Sequence, residues 1–196
     1  MAEAARVIRQ EHRNTASVLA CLGHAVDAIE VGRWAPDFQL LTLVINYLET
    51  FPEIFHHPKE EKYLFTALLR RRPEAAPLLE RLGEEHILGL EAVIDMRAAL
   101  RAYRSDLSKF PRFREEVDRY VQFQRSHMQL EEREILPLAL EVLTPDDWHV
   151  IGAAFARNDD PLFGQARRKH FDALYSRIFE LAPRPVDIPE SGAALA

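Results

Sequence analysis

The chain has 196 residues, enough for one domain with extensions, and its 47 % hydrophobic content can supply a real core. The balance of 31 acidic against 25 basic residues gives a net charge of -6, which argues against nucleic acid as a partner, because counterion displacement needs basic patches. The single cysteine, Cys21, excludes an internal disulfide and fits a reducing, cytoplasmic setting, and no apolar run is long enough for a membrane span or a signal peptide.

Leu, Ala, Glu and Arg dominate, and glycine is scarce, so the elements are expected to be helical. The first helix is predicted from Glu3 to Val31: Ile8, His12, Thr15, Leu19, Leu22, Val26 and Ile29 alternate steps of four and three along one face. Gly32 and Pro36 mark the connection that follows. The second is predicted from Asp37, as N-cap, to Arg72, with Leu41, Ile45, Leu48, His56, Glu60 and Leu64 as its stripe. Pro52 and Pro58 each remove an N–H and crowd the turn before them, so a bend or brief break is expected here.

The third helix opens at Pro73 and runs to Ser105, with the stripe Leu79, Leu82, His86, Leu90, Val93 and Leu100. The fourth runs from Pro111 to Leu143 with Val117, Tyr120, Gln124, His127, Glu131, Ile135 and Leu138. Four long amphipathic helices with short connections predict an all-α, up-down-up-down four-helix bundle over residues 1–143. Thr144-Pro145-Asp146-Asp147 reads as a further helix start and opens a C-terminal helical extension, 144–182, packed on the bundle. The tail 183–196, rich in Pro and small residues, is expected to be disordered.

Each of the four stripes is interrupted by histidine, and two carry a glutamate four residues later. An i, i+4 pair lies on one helix face, so two helices can each aim an imidazole and a carboxylate at a point to which the other two add an imidazole. Lone core histidines are commonly just hydrogen-bonded. Histidine on all four faces, with two buried carboxylates lacking counter-charges, is far harder to reconcile with a metal-free core. Four nitrogens and two carboxylates exceed the needs of one tetrahedral zinc and suit two metals. The absence of thiolate favours iron or manganese, with zinc a substitute.

His56-His57-Pro58-Lys59-Glu60-Glu61 and His127-Met128-Gln129-Leu130-Glu131-Glu132 align without gaps as His-x-x-x-Glu-Glu. This echo favours His56 and Glu60 as ligands; His57 and Glu61, one step round the helix, form the alternative pair. The order His12, His56-x-x-x-Glu60, His86, His127-x-x-x-Glu131 resembles the hemerythrin HHE cation-binding domain over about residues 5–143. The resemblance implies a non-haem di-iron centre with Glu60 and Glu131 bridging, His12, His56, His86 and His127 terminal, and an oxo or hydroxo bridge. It also implies open positions for a small molecule such as oxygen, nitric oxide or peroxide. Oxygen-carrying members place a second histidine on the third helix, four residues after the first. Leu90 stands there, which leaves the set one ligand short, disfavours reversible oxygen carriage and points towards the iron–sulfur-repair and nitric-oxide-responsive branch. Cys21 does not match the cysteine-containing N-terminal segment of the repair proteins.

Glu11, Glu61, Glu85 and Glu132 adjoin the ligands in sequence and are candidates to accept from ligand N–H groups, and Tyr120 to hydrogen-bond near the centre. The function expected is a di-iron protein that reacts with or senses a small oxidant, or handles iron under oxidative or nitrosative stress. The alternatives are a metal-buffering or sensing protein without catalysis, and a metal-free helical interaction module. A protein partner or homo-oligomer is left open.

Overall fold

A computed structural model describes residues 2–156. The part of the expected extension past Ala156, and the tail from Pro183, lie outside the described residues. Helix α1 spans Ala2–Glu30. It ends where Gly32 adopts a φ of 70°, a left-handed conformation that L side chains avoid, and the chain then folds back to bond Arg33 N–H to the Ala28 carbonyl at 2.8 Å. Asp37 caps α2 by accepting from the Leu40 N–H at 2.9 Å, as its position predicted.

Helix α2 covers residues 38–71 without leaving helical conformation. The expected break at the prolines takes another form: α-helical Phe38–Thr50 is followed by π-helical turns at Phe51–His56 and Glu60–Phe65, separated by His57–Lys59. Helical geometry then resumes over Thr66–Arg71. Pro52 and Pro58 donate nothing to the ladder, and the wider turns absorb the mismatch while re-aiming the side chains around them. A short turn at Pro73–Ala75 leads into α3, Ala76–Ser105. Helix α4 covers residues 110–142 and contains a third π-helical turn at Glu131–Ile135. Helix α5, Pro145–Phe155, opens with the anticipated capping box: Thr144 and Asp147 each accept from the other's backbone N–H.

Helix α1 packs on α2 and α4, and α3 packs on the same two, so the four long helices close into an antiparallel bundle. Helix α5 lies across α1 and the second π-turn of α2. No strand occurs among the described residues.

The apolar core has two parts. One gathers Val18, Leu22, Leu41, Ile45, Phe51, Val93 and Phe113; the other gathers Ile8, Leu64, Leu82, Ile135, Trp148 and Phe155. Along α1, α2, α3 and α4 alike, the histidines lie between residues of the first part and residues of the second. The site is thus a polar layer between two dry ones.

One stripe position needs correction. Leu90 is 39 % exposed, and the neighbouring Gly89 faces inward instead. A Cβ at 89 would meet Glu53 Oε1 at 3.1 Å and Gln124 Nε2 at 3.2 Å, so a buried carboxylate occupies the space that the apolar pattern assigned to leucine.

Candidate metal centre

The structure brings the six expected ligands together and adds a seventh. His12, His56, Glu60 and Glu131 each offer a donor atom within 4.8 Å of the others; so do His57, Glu60, His86 and His127. Every one of these residues is buried. His56 and His57 are therefore not alternatives. Both turn inward at the junction of a π-turn with a short α-helical segment, where adjacent residues can serve neighbouring clusters. Glu61 joins neither cluster; it stands half exposed and accepts from His86 Nδ1–H at 2.7 Å.

The two carboxylates face both clusters. Glu60 Oε1 lies 3.2 Å from His56 Nε2 and 3.9 Å from His12 Nε2, while its Oε2 lies 3.7 Å from His86 Nε2. Glu131 Oε2 lies 3.3 Å from His12 Nε2, while its Oε1 lies 3.5 Å from His127 Nε2 and 3.8 Å from His86 Nε2. The second cluster is tightly packed: His57 stacks on His86 at 4.1 Å between centroids with an interplanar angle of 5°.

Each of the five imidazoles has its own outward carboxylate at Nδ1. Glu11 meets His56 at 2.7 Å, Glu132 meets His12 at 3.1 Å, Glu85 meets His127 at 2.9 Å, Glu61 meets His86 at 2.7 Å and Glu53 meets His57 at 3.0 Å. An ionised carboxylate only accepts, so Nδ1 carries the proton in these pairs, and each ring in its neutral form turns a bare Nε2 lone pair inward. That is the tautomer a metal requires.

Glu53 differs from the other four. Its side chain is 1 % exposed, and its Oε1 accepts from Gln124 Nε2–H at 2.8 Å and the Tyr120 hydroxyl at 3.1 Å. Burial pushes Glu53 up to about 7 against the pull of those donors. The sequence points to Glu11, Glu61, Glu85, Glu132 and Tyr120 but not to Glu53. The available signal was Glu53-x-x-x-His57, an i, i+4 pair with the acid first.

The inward-facing atoms fit a cation. His12 Nε2 and His56 Nε2 lie 3.2 Å apart, two lone pairs face to face unless a positive charge joins them. Glu60 Oε2, both Glu131 oxygens, His86 Nε2 and His127 Nε2 are buried without a hydrogen-bond partner, an arrangement that is costly unless something else engages them. The charge field has the same character. Burial opposes the charged form of His12, yet the Glu131 and Glu132 carboxylates outweigh it and raise it to about 9. Burial would raise Glu131, but His127, His12 and His86 hold it well below the usual carboxylate range. Burial and the neighbouring imidazoles push His57 well down, so it stays neutral.

Counting donors changes one expectation. The absence of histidine at Leu90 does not leave the cluster short in number, because His57 supplies a fifth imidazole from α2. The ground for disfavouring oxygen carriage on ligand count therefore falls away.

The sequence profile described as Hemerythrin HHE cation binding domain matches residues 3–139. No curated protein and no solved structure matches the chain.

Proposed function

The chain belongs to the hemerythrin HHE cation-binding domain family, and from that premise we propose that it is a non-haem di-iron protein that binds a small oxidant such as oxygen, nitric oxide or peroxide, to react with it, sense it or handle iron under oxidative stress. The observation that carries this reading is the placement of Glu60 and Glu131, each with one oxygen towards His12 or His56 and the other towards His86 or His127. Such carboxylates suit two ions side by side. Nitrogen and oxygen donors without thiolate favour iron, with manganese or zinc as substitutes, and an oxo or hydroxo bridge would complete the pair.

When bound, an iron pair supplies reversible electron transfer to a small molecule. The chain's residues do the rest. His57, His86 and His127 with the two carboxylates would hold one ion with five donors, and His12 and His56 with the same carboxylates would hold the other with four. The two-histidine side would therefore leave more room for an exogenous ligand. The five Nδ1–carboxylate bonds fix ring orientation and tautomer. The apolar layers above and below exclude water, which strengthens every charge interaction within. The single cysteine, and the absence among described residues of any helix able to cross a membrane, are in keeping with a cytoplasmic setting.

Metal content and optical spectra of aerobically and anaerobically purified protein test this reading. About two irons per chain and oxygen-dependent near-ultraviolet absorption are expected. Iron near zero after anaerobic reconstitution overturns it.

A further inference from the structure

The two sides of the centre meet different surroundings. A cavity of about 370 Å³ reaches His127 and Glu85 from the surface, lined also by Arg81, Arg119 and Phe123. No such opening lies against His12 or His56 among the cavities described. There the end of α5 intervenes. Phe155, 1 % exposed, sets its ring against His56 at 5.7 Å between centroids and 81° between planes, and it touches no other ring of the seven-residue cluster.

Helix α5 is fixed at both ends. At its start, the Asp147 carboxylate binds Arg70, Arg71 Nε at 2.9 Å and the Thr144 hydroxyl at 2.7 Å. Along it, Trp148, Ile151 and Phe155 recur at spacings of three and four and bury against Ile8 and Leu64. All of α5 lies beyond residue 139, where the family match ends. Phe155 thus comes from outside the matched bundle, which itself sets the more distant Phe51 ring near His56, at 6.4 Å between centroids.

We infer that Phe155 is the specificity-determining residue of the two-histidine side: through it, α5 closes the His12–His56 half to all but small, uncharged, diatomic-sized ligands and keeps out larger anions. This rests on the di-iron reading for its chemistry but not for its geometry. The Phe155 ring itself offers no group to solvate an anion in transit past it, so charge adds to size in the selection.

The test uses the full chain with Phe155→Ala and Phe155→Leu. In metal-free protein, hydroxyl-radical footprinting read by mass spectrometry is expected to show His56 oxidised about tenfold faster in Phe155→Ala, with His127 unchanged and Phe155→Leu close to wild type. In iron-loaded protein, azide is expected to bind about tenfold faster in Phe155→Ala while the nitric oxide rate changes little. Should Phe155→Ala fail to fold by circular dichroism, Asp147→Ala releases the remote anchor of α5 and is expected to move both readouts the same way. A folded variant in which His56 stays as protected as in wild type overturns the inference, as does an azide rate equal to wild type. Iron-free wild-type protein overturns the di-iron reading, and the metal-free footprint still decides the role of Phe155.

Discussion

The two histidine clusters share the same two carboxylates and the same Nδ1–carboxylate pairing, and differ in what stands behind it. The three-histidine side is held by hydrogen bonds: Tyr120 and Gln124 feed Glu53, which fixes His57, which stacks on His86. On the two-histidine side, Glu11 bonds His56 and the 40 % exposed Glu132 bonds His12, and Phe155 adds an aromatic contact against His56. A rigid polar network specifies geometry, whereas a packed aromatic specifies access. On the proposed reading, the networked side would anchor its ion and the side behind Phe155 would be where ligands come and go.

The sharpest way to break this comparison is to remove what the sides have in common. Glu131→Ala is expected to empty both, dropping iron below one per chain and abolishing the thermal stabilisation that iron confers, about 2.7 kcal/mol at a hundredfold excess over Kd. Retention of one tightly bound iron would show that the clusters do not depend on a shared carboxylate.

Next in size is the contrast between outer carboxylates. Glu53→Gln leaves a buried amide facing His57 Nδ1 and is expected to weaken iron binding about 10- to 100-fold in chelator competition. Glu132→Gln, at a half-exposed position where water can substitute, is expected to weaken it less than the buried change does. Equal losses would remove the distinction between a networked side and a packed one. Gly89→Ala probes the same network sterically. Helix propensity alone favours alanine by about 1 kcal/mol. The new Cβ at 3.1 Å from Glu53 Oε1 meets a carboxylate already fixed by three partners, so net destabilisation of about 1 kcal/mol is expected in thermal unfolding. A stabilised Gly89→Ala would mean that Glu53 has freedom the hydrogen bonds deny it.

How much of this was legible in the sequence follows from where periodicity holds. His12, His86 and His127 continue apolar stripes of regular α-helix, and Glu131 follows one turn later at the first residue of a π-turn, so these groups could be read directly, as could the bundle. Helix α2 resisted because two π-turns shift its register, and neither 3.6-residue spacing nor the echo with α4 allows adjacent His56 and His57 both to face inward. Leu90 misled for a related reason: the stripe rule assigns the core to apolar side chains, and at this level the core is Glu53, Gln124 and Tyr120, for which only Gly89 leaves space. The acids beside the ligands were readable as outer partners of the imidazoles, because helices that aim an imidazole inward carry the adjacent residue to the rim.

The smallest expected effect concerns the anchor of the packed side. The Thr144 hydroxyl and N–H and the Arg71 guanidinium stabilise the ionised Asp147 carboxylate and hold its proton affinity below the usual carboxylate range. A carboxylate with a folded-state pKa lower than its unfolded value of about 3.9 contributes stability above that pH and loses it as the medium is acidified further. Asn at 147 has no such titration. The stability difference between wild type and Asp147→Asn should therefore be full at neutral pH, about 0.5 kcal/mol for ion pairs with half-exposed arginines, and should shrink below about pH 4. Trp148 reports on α5 directly, so its fluorescence in a Trp34→Phe background, followed through urea unfolding at several pH values, measures that difference where it arises. A difference constant down to pH 2 would mean that packing by Trp148, Ile151 and Phe155 alone fixes α5, and that its clamp to α2 contributes nothing to closing the two-histidine side.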